Sequence, residues 1–299
     1  MNTLNLVSKR AGVKQGKTLP AKIVIVAGMG EVGRPLLEIL GRTYECVGVD
    51  VAPVQIDRRC SVLHVCYPYQ MSDFIGTTVR YINKYRPELT IINSTIKART
   101  TRRVQERVDK PVVYSPVRGK HATMVQDMLR YRKFVAGFDP QSTQQAAQHF
   151  AGAGFEVSAF RNPEVGELSK LVETTWLGIL IGWAQEVERM AVECGGSYEE
   201  VNAFIKEISF LPSHVFPGRI GGHCVMPNIA ILRDMFSVKF LDAVFESNAA
   251  KEEHLARLLP PAKITDDRSH QTKAEFIAPS ARRPTFRKLR RAGSVDILS

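Results

Sequence analysis

The chain has 299 residues, of which 44% are hydrophobic and 24% are charged, as is typical of soluble globular proteins. No apolar run approaches the roughly 20 residues that a membrane-spanning helix needs, and the first 20 residues lack the apolar core of a signal peptide. We therefore expect a cytoplasmic protein that does not enter a membrane and that forms one large domain or two ordinary ones.

Most of the formal net charge of +11 lies at the two ends of the chain. Neither end shows hydrophobic periodicity, so we predict disordered basic segments over residues 1–20 and 260–299. These segments are either solvated tails or contacts for a partner. In the second case RRPTFRKLRR, at residues 282–291, would bind an acidic protein or nucleic acid.

The five cysteines are odd in number and scattered, without a CxxC pair. They are Cys46, Cys60, Cys66, Cys194 and Cys224. This pattern argues against a disulfide framework and against a zinc site, and it favours reduced thiols. We therefore predict no metal site.

From residue 21 onward, short apolar runs alternate with segments of helical spacing. The runs KIVIVAG, ECVGVDV, SVLHVCYP, LTIINST, KPVVYSP and KFVAGF are predicted strands, and EVGRPLLEIL and MSDFIGTTVRYINKY are predicted helices. Strands that alternate with helices indicate a parallel sheet covered on both faces. We therefore predict an α/β fold with a Rossmann-type doubly wound parallel sheet over residues 21–160.

A long helix is predicted next, over residues 165–195, and it begins an all-α domain over 161–259. Its middle, from Leu171 to Ala184, is apolar on nearly every face and contains Trp176 and Trp183 one heptad apart. A helix of this kind must be buried all round. The burial occurs either within one subunit or between two subunits.

The motif GMGEVG, from Gly28 to Gly33, fits the GxGxxG pattern after the first predicted strand and at the start of a helix. In such a turn Gly28 permits the tight bend, Gly30 lets the backbone approach a diphosphate, and Gly33 lets helix and strand pack closely. Asp50 ends the second predicted strand, at the spacing of an acid that binds ribose hydroxyls. Its carboxylate favours NAD as the cofactor, although two arginines that follow leave NADP open.

The other predicted cofactor contacts come from the same turn and from the ends of two later strands. They are Met29, Glu31, Val32, Tyr67, Pro68, Ser94 and Thr95. The N–H groups at the helix N-terminus have no partner within the helix and would bind the diphosphate.

The stretch PGRIGGHCVMPN, residues 217–228, places Cys224 behind two glycines that would let the backbone wrap around a sugar. A thiol ionises near neutral pH only beside a positive group or a helix N-terminus. Arg219 and His223 are the nearest candidates for that positive group. Cys224 is therefore either a nucleophile or a buried, inert thiol.

Taken in order, these motifs resemble the UDP-glucose/GDP-mannose dehydrogenase family over residues 21–240. The resemblance rests on GMGEVGRPL, YECVGVDV, STIKARTT, YSPVRG, GELSKLVETTWLGILIGWAQEV and PGRIGGHCVMPN. It implies oxidation of a sugar alcohol to a carboxylate with reduction of two NAD. It also implies a catalytic cysteine at Cys224, a catalytic lysine at Lys170, and a homodimer formed through the long helix at 165–195.

Lys170 has two interpretations. Its ammonium could stabilise an alkoxide as hydride departs, or it could form an ion pair with Glu167 or Glu173. One turn later, Thr174 stands where the resembled family has an asparagine, and a threonine can still donate a hydrogen bond.

Two carboxylates of the resembled family are replaced by residues that cannot accept a proton. These residues are Val117 and Asn228. The resembled family also has a third, nucleotide-binding domain, which we do not expect here, since a basic segment follows residue 259. We therefore expect a substrate other than a standard sugar nucleotide, or a reaction that stops short of the acid.

The residues predicted to contact the substrate lie in two segments. In SPVRGKH, the side chains of Arg118, Lys120 and His121 either clamp an anionic group or are surface charges on a loop. In PGRIGGHCVMPN the predicted contacts are Arg219, Gly221, Gly222, His223 and Asn228.

Three functions fit this sequence. The first is an NAD-dependent oxidoreductase that acts on a CH–OH group of a sugar-type substrate. The second is a single hydride transfer in the manner of the β-hydroxyacid dehydrogenases. The third is an NAD-binding regulatory or scaffold protein without catalysis.

Overall fold

The computed structural model describes residues 22–50, 54–209, 212, 215–221, 224–236 and 238–258. The basic segments predicted at residues 1–20 and 260–299 lie outside these ranges. The strands are β1 (Ile23–Ala27), β2 (Cys46–Val49), β3 (Cys60–Val65), β4 (Leu89–Ile92), β5 (Val112–Tyr114), β6 (Lys133–Val135) and β7 (Val157–Ala159).

Helices alternate with strands in the first part of the chain, and the second part, from α6 onward, consists of helices without intervening strands among the described residues. They are α1 (Gly33–Gly41), α2 (Phe74–Tyr85), α3 (Thr100–Gln105), α4 (Met124–Arg130), α5 (Pro140–Gly152), α6 (Pro163–Glu193), α7 (Tyr198–Lys206), α8 (Val225–Met235) and α9 (Lys239–Leu258). A single 3₁₀ turn at His121–Thr123 precedes α4. We call residues 22–160 the α/β region and residues 163–258 the helical region.

Five strands form one parallel sheet in the order β2-β1-β3-β4-β5. The chain therefore runs outward from β1 first on one side and then on the other, as in a doubly wound fold. The prediction of a Rossmann-type parallel sheet followed by a helical region with a long central helix is confirmed.

The last two strands depart from the prediction. Strands β6 and β7 form a separate parallel pair, and an antiparallel bridge between Tyr114 and Ala136 joins this pair to β5. The run KFVAGF, predicted as one more strand of the parallel sheet, therefore lies antiparallel to its neighbour. Strand β7 was not predicted, since it is short and its side chains are half-buried or exposed.

Both faces of the sheet are covered, because the strands are continuous apolar runs that have no face for solvent. All five residues of β1 are buried. Ile25 packs with α2 residues such as Tyr81, whereas Val24 and Val26 pack with Leu36 of α1 on the opposite face. This alternation places helices on both faces of the sheet.

Side chains at helix N-termini define where several helices begin. The carboxylates of Asp73 and Asp139 each accept a hydrogen bond from the backbone N–H of the third residue of the helix that follows, α2 and α5 respectively. Asn162 does the same for α6, whose first residue is Pro163, and Ser197 with Glu200 forms a capping box on α7. Each such cap satisfies a backbone donor that the helix cannot pair.

Helix α6 is the axis of the helical region, with α7, α8 and α9 packed along it. Leu171 of α6 lies at 0% exposure in a core that includes Ile229 and Leu232 of α8 and Val244 of α9. A Cβ at Gly178 would stand 2.6 Å from Ile229 Cδ1. The absence of a side chain at Gly178 therefore lets α8 approach α6 closely.

Of the two alternatives left open for α6, a single subunit does not bury this helix on all sides. Trp176 and Trp183 are 58% and 61% exposed, and other apolar side chains on the same side are also exposed. These residues recur at helical spacing, away from the core that contains Leu171. We call them the α6 stripe: Val165, Leu168, Val172, Trp176, Trp183 and Met190.

The described residues group into one unit that ends at Leu258, so a domain boundary near residue 160 stays a prediction. Among the described residues, no helix combines the length and the apolar character that crossing a bilayer requires.

Candidate functional site

The glycine-rich turn lies at the carboxyl end of β1, where the order of the strands reverses. Gly28 has φ +94, and a Cβ on it would stand 2.5 Å from the backbone nitrogen of Tyr67. A Cβ on Gly33 would stand 1.8 Å from the carbonyl oxygen of Gly28. Both positions therefore exclude any larger residue, and they close the bend between β1 and α1.

Gly30 differs from these two glycines, because a Cβ on it would meet no atom within 4 Å. The space beside it is open, and α1 begins three residues later with its N-terminal N–H groups turned to this end. A crevice at the reversal of strand order is where doubly wound folds bind nucleotides. The residues of this turn fit the diphosphate of a dinucleotide.

Asp50 follows β2 and is exposed at the same edge of the sheet. The hydroxyl of Tyr81 donates a hydrogen bond to the backbone oxygen of Asp50, which fixes the strand end. The two arginines that left NADP open pair with other acids: Arg58 with Glu45 and Arg59 with Glu88, at 2.8 Å and 2.7 Å. This arrangement fits ribose hydroxyls better than a 2′-phosphate.

The ends of β3 and β4 complete this edge of the sheet. Ser94 Oγ donates to the backbone oxygen of Tyr67 at 2.6 Å, and the hydroxyl of Tyr67 bonds Thr78 Oγ1 at 2.6 Å. Pro68 is exposed and Thr95 is half-buried. The side chains of Tyr67 and Ser94 therefore support the turn, and Pro68 and Thr95 face outward beside it.

Cys224 is an exposed residue directly before α8, at its N-cap position. Partial burial of the thiol raises its pKa, the neighbouring Lys170 lowers that pKa, and Glu31 raises it. The structure thus brings together residues from three elements: Glu31 from the glycine turn, Lys170 from α6, and Cys224 from α8. Cys224 is not the buried, inert thiol that was the alternative.

Lys170 is largely buried, with 12% of its side chain exposed, and its Nζ lies 2.7 Å from Glu173 Oε2. Of the two ion pairs expected for it, the one with Glu173 forms. The side chain of Glu167 instead turns away to α3. The bond to Glu173 uses one of the three N–H donors of the Lys170 ammonium.

Thr174 and Asn228 meet beside this group. Asn228 Nδ2 donates to Thr174 Oγ1 at 3.1 Å, and the Thr174 hydroxyl lies 3.1 Å from the backbone oxygens of Lys170 and Leu171. The hydroxyl proton of Thr174 is therefore directed at its own helix. Asn228 is buried and links α8 to α6.

The side chains of SPVRGKH diverge in the structure. The guanidinium of Arg118 donates to the backbone oxygen of Arg132 at 2.5 Å and lies over the ring of Phe134. His121 Nε2 lies 2.8 Å from Glu31 Oε2, at the edge of the glycine turn. Lys120 uses its backbone N–H to bond Asp127 and is exposed. Of the three, His121 is the one that the structure places at the turn.

In the second predicted segment, Arg219 Nε lies 2.8 Å from Glu252 Oε1 of α9, and both side chains are exposed. Gly221 is exposed, with nothing near the position of a Cβ. Gly222 and His223 lie outside the described residues.

The burial of two ionisable residues near the site was not predicted from the sequence. Glu167 is fully buried and accepts from the backbone N–H groups of Arg99 and Thr101; burial raises its pKa to about 7. Lys133 donates to the backbone oxygens of Ser115 and Pro116, and burial lowers its pKa to about 7. A lone charge in a short strand or helix turn gives no sequence signal for such burial.

Known proteins share this arrangement of elements. A UDP-N-acetyl-D-mannosamine dehydrogenase of Methanococcus vannielii is 20% identical over 256 residues, covering 68% of this chain and 59% of the relative. The solved structure of a UDP-D-ManNAc dehydrogenase from Pyrococcus horikoshii superposes with a TM-score of 0.70 at 17% identity, over 79% of this chain and 70% of that chain. The described residues have the nucleotide-sugar dehydrogenase fold.

These matches confirm the resemblance that the motifs predicted, at low identity. A 3-hydroxyisobutyrate dehydrogenase of Mycobacterium tuberculosis also superposes, with a TM-score of 0.58 at 16% identity, over 79% of this chain and 94% of that chain. No protein-family model matches the chain. The chain spans 59% of the length of its Methanococcus vannielii relative.

Proposed function

We propose that this protein is an NAD-dependent oxidoreductase that oxidises an alcohol group of a sugar-type or related polar substrate. The geometry that supports it most is the packing of α8, which begins directly after Cys224, on α6, which carries Lys170: Asn228 of α8 bonds Thr174, one turn after Lys170. The turn would hold the diphosphate, and Asp50 would accept from the ribose hydroxyls. When bound, NAD would supply the acceptor for hydride.

The chain's own residues would act on the oxygen and carbon of the substrate. The ammonium of Lys170 is held in a largely buried place, where a positive charge stabilises a developing alkoxide more than it would in water. The thiol of Cys224 could then add to the carbonyl carbon of the resulting aldehyde. Partial burial raises the pKa of this thiol and Lys170 lowers it, so Lys170 favours the thiolate.

The later, hydrolytic half of a four-electron oxidation has less support. Val117 is buried and apolar, and the amide of Asn228 is bonded to Thr174. Neither can accept a proton from water. A single hydride transfer is therefore the second candidate function. The superposition on 94% of a 3-hydroxyisobutyrate dehydrogenase favours it, since that protein also covers both regions of this chain.

The test is an assay of cofactor reduction with a panel of sugar nucleotides, sugar phosphates and hydroxy acids, read by the absorbance of the reduced nicotinamide. We expect Lys170→Gln to lose turnover by about 10²-fold or more. Cys224→Ala should abolish a four-electron oxidation and leave a single hydride transfer. Cys194→Ala is the matched control, because Cys194 is also an exposed free thiol but lies at the far end of α6.

Binding of the cofactor is measured separately by calorimetry with oxidised and reduced dinucleotides. Binding without turnover on any substrate would favour the non-catalytic alternative. Absence of both binding and turnover would contradict the oxidoreductase proposal.

We further propose a homodimer formed through α6. The α6 stripe exposes six large apolar side chains along one side of the helix, and such a contiguous surface is typical of an interface. The experiment is sedimentation over a range of concentrations. The double variant Trp176→Ser, Trp183→Ser should be monomeric, whereas Phe204→Ser, an exposed residue of α7, should leave the dimer intact. A parent protein that is monomeric at all concentrations would contradict this proposal.

The contact of the basic terminal segments with an acidic partner concerns residues outside the described ranges, and it stays a prediction.

A further inference from the structure

Residues 216–221 come shortly before Cys224 in the chain, and two buried amide side chains bond to their backbone. Gln185 Nε2, on α6, donates to the backbone oxygen of Gly218 at 2.7 Å. On α9, Asn248 Oδ1 accepts from the backbone N–H of Ile220 at 2.7 Å, and Asn248 Nδ2 donates to the backbone oxygen of the same residue at 3.3 Å. Hydrogen bonds from both α6 and α9 therefore hold the backbone of this segment.

The amides also hold each other in one orientation. Gln185 Nε2 lies 3.3 Å from Asn248 Oδ1, and Ser247 Oγ donates to Gln185 Oε1 at 3.0 Å. Gln185, Ser247 and Asn248 are 0%, 4% and 5% exposed. A buried amide that loses one partner leaves a polar atom unsatisfied, so the network favours a single arrangement.

Both sides of the Cys224 position are fixed against α6. The side chain of Ile220 is 4% exposed and lies in the same core as Leu171, the neighbour of Lys170. On the other side, Val225 begins α8 directly after Cys224, and its Cγ1 would lie 2.8 Å from a Cβ at Gly178 of α6.

We propose that Gln185 and Asn248 are positioning residues that hold the Cys224 thiol against Lys170. This proposal rests on the proposed function for the meaning of Cys224, but the position of the thiol can be measured without any turnover.

The measurement is the rate of alkylation of Cys224 by iodoacetamide as a function of pH, in a Cys194→Ser background that removes the other exposed thiol. Burial raises the pKa of Cys46, Cys60 and Cys66 to about 12, so these thiols react slowly below that pH. The signal therefore reports on Cys224.

Asn248→Leu removes both bonds to Ile220 with little change in volume. Partial burial raises the pKa of Cys224 and Lys170 lowers it, so the effect of Lys170 on the thiol reports whether the two groups are held together. In the parent, Lys170→Gln should raise the pH midpoint of alkylation and lower the rate at neutral pH by about tenfold per pKa unit. In the Asn248→Leu variant most of this effect of Lys170→Gln should be lost. Gln185→Met, which removes the bond to Gly218 and the contacts with Asn248 and Ser247, should reduce the effect less. Asn248→Asp keeps the acceptor for Ile220 N–H and should restore part of the effect.

Thr175→Val is the matched control, since Thr175 is a buried residue of α6 whose hydroxyl has no partner in the described part of the chain. It should leave the alkylation profile unchanged. Near-UV circular dichroism checks that each variant is folded, and Gln185→Met serves if Asn248→Leu is not.

The proposal would be overturned if Lys170→Gln shifted the pH midpoint in folded variants of Gln185 and Asn248 as much as it does in the parent. A changed alkylation profile together with no turnover in the parent protein would support the positioning role and reject the proposed oxidoreductase function, so the two failures are distinguishable.

Discussion

The α/β region and the helical region differ in how completely they bury their apolar side chains. Among the described residues, two large apolar side chains of the α/β region are exposed, Val54 and Tyr131, against fifteen in the helical region. The sheet closes its own core because helices cover both faces. The helical region leaves one side of α6 exposed, and this difference is the basis of the proposed dimer.

The two regions also differ in the polar groups that they bury. The core of the α/β region contains ionisable side chains, including His64, His149 and Lys133, whose pKa values burial lowers. The buried network of the helical region uses neutral amides and a serine, such as Gln185 and Ser247. We therefore expect acid to destabilise the α/β region first and dilution of the protein to destabilise the helical region first.

The largest expected effect contrasts one side chain from each region. Ile25→Ala, at 0% exposure in the central strand, should lower the free energy of unfolding by about 2–5 kcal/mol. Trp183→Ala should cost less than about 0.5 kcal/mol in dilute monomer, where the indole is already exposed. Urea unfolding at two protein concentrations measures both. Equal losses in dilute protein would remove the contrast between the regions.

The next effect is a loss of stability in acid that begins in the α/β region. His64 Nε2 and His149 Nε2 lie 2.9 Å apart, and burial lowers the pKa of His149 from 6.5 to about 4. The unfolded chain binds these protons more readily than the folded one. The contribution of the pair is therefore full above pH 6.5 and is lost as the pH falls toward about 4.

For His149 alone, this shift corresponds to a loss on the order of 3 kcal/mol. The double variant His64→Leu, His149→Phe keeps an aromatic ring against Tyr44 and should show a shallower decline of the melting temperature in the same range. Hydrogen exchange at low pH should show opening of β3 and α5 before α8. An unchanged acid slope in the double variant would assign the decline to other groups.

These contrasts also explain what the sequence could predict. A buried parallel strand is a continuous apolar run, and each of the six predicted runs became a strand, β1 to β6. Helix α6 was predicted two residues from each observed end. The sequence could not tell whether its apolar side chains are buried within one subunit, because the same apolar pattern is expected whether the chain itself or a partner covers them.

The candidate site was only partly accessible from the sequence. The glycine turn follows from local spacing, since each glycine answers a steric demand within a few residues. Asn248 bonds to Ile220, which lies 28 residues away in the sequence, and to Gln185, which lies 63 residues away. Single amides on amphipathic helices resemble surface positions, so no pattern distinguishes them before the chain is folded.

The smallest effect concerns Arg99, at the point where the two regions meet. Arg99 has φ +72 at the N-cap of α3, and its backbone N–H donates to Glu167 Oε2 at 2.6 Å. A left-handed conformation costs a residue with a Cβ roughly 1–2 kcal/mol, whereas glycine adopts it freely. Glycine loses more entropy on folding, which offsets part of this relief of strain. Arg99→Gly should therefore stabilise the protein by a net gain of about 0.5–1 kcal/mol.

Arg86→Gly is the matched control for Arg99→Gly. Arg86 has φ +44 at the C-cap of α2, far from the helical region. Thermal unfolding should show a similar gain in both variants if the gain comes from the backbone conformation alone. If Arg99→Gly instead destabilises the protein while Arg86→Gly stabilises it, the arginine side chain itself must hold α3 against α6. The two regions would then depend on a contact beyond the hydrogen bonds to Glu167.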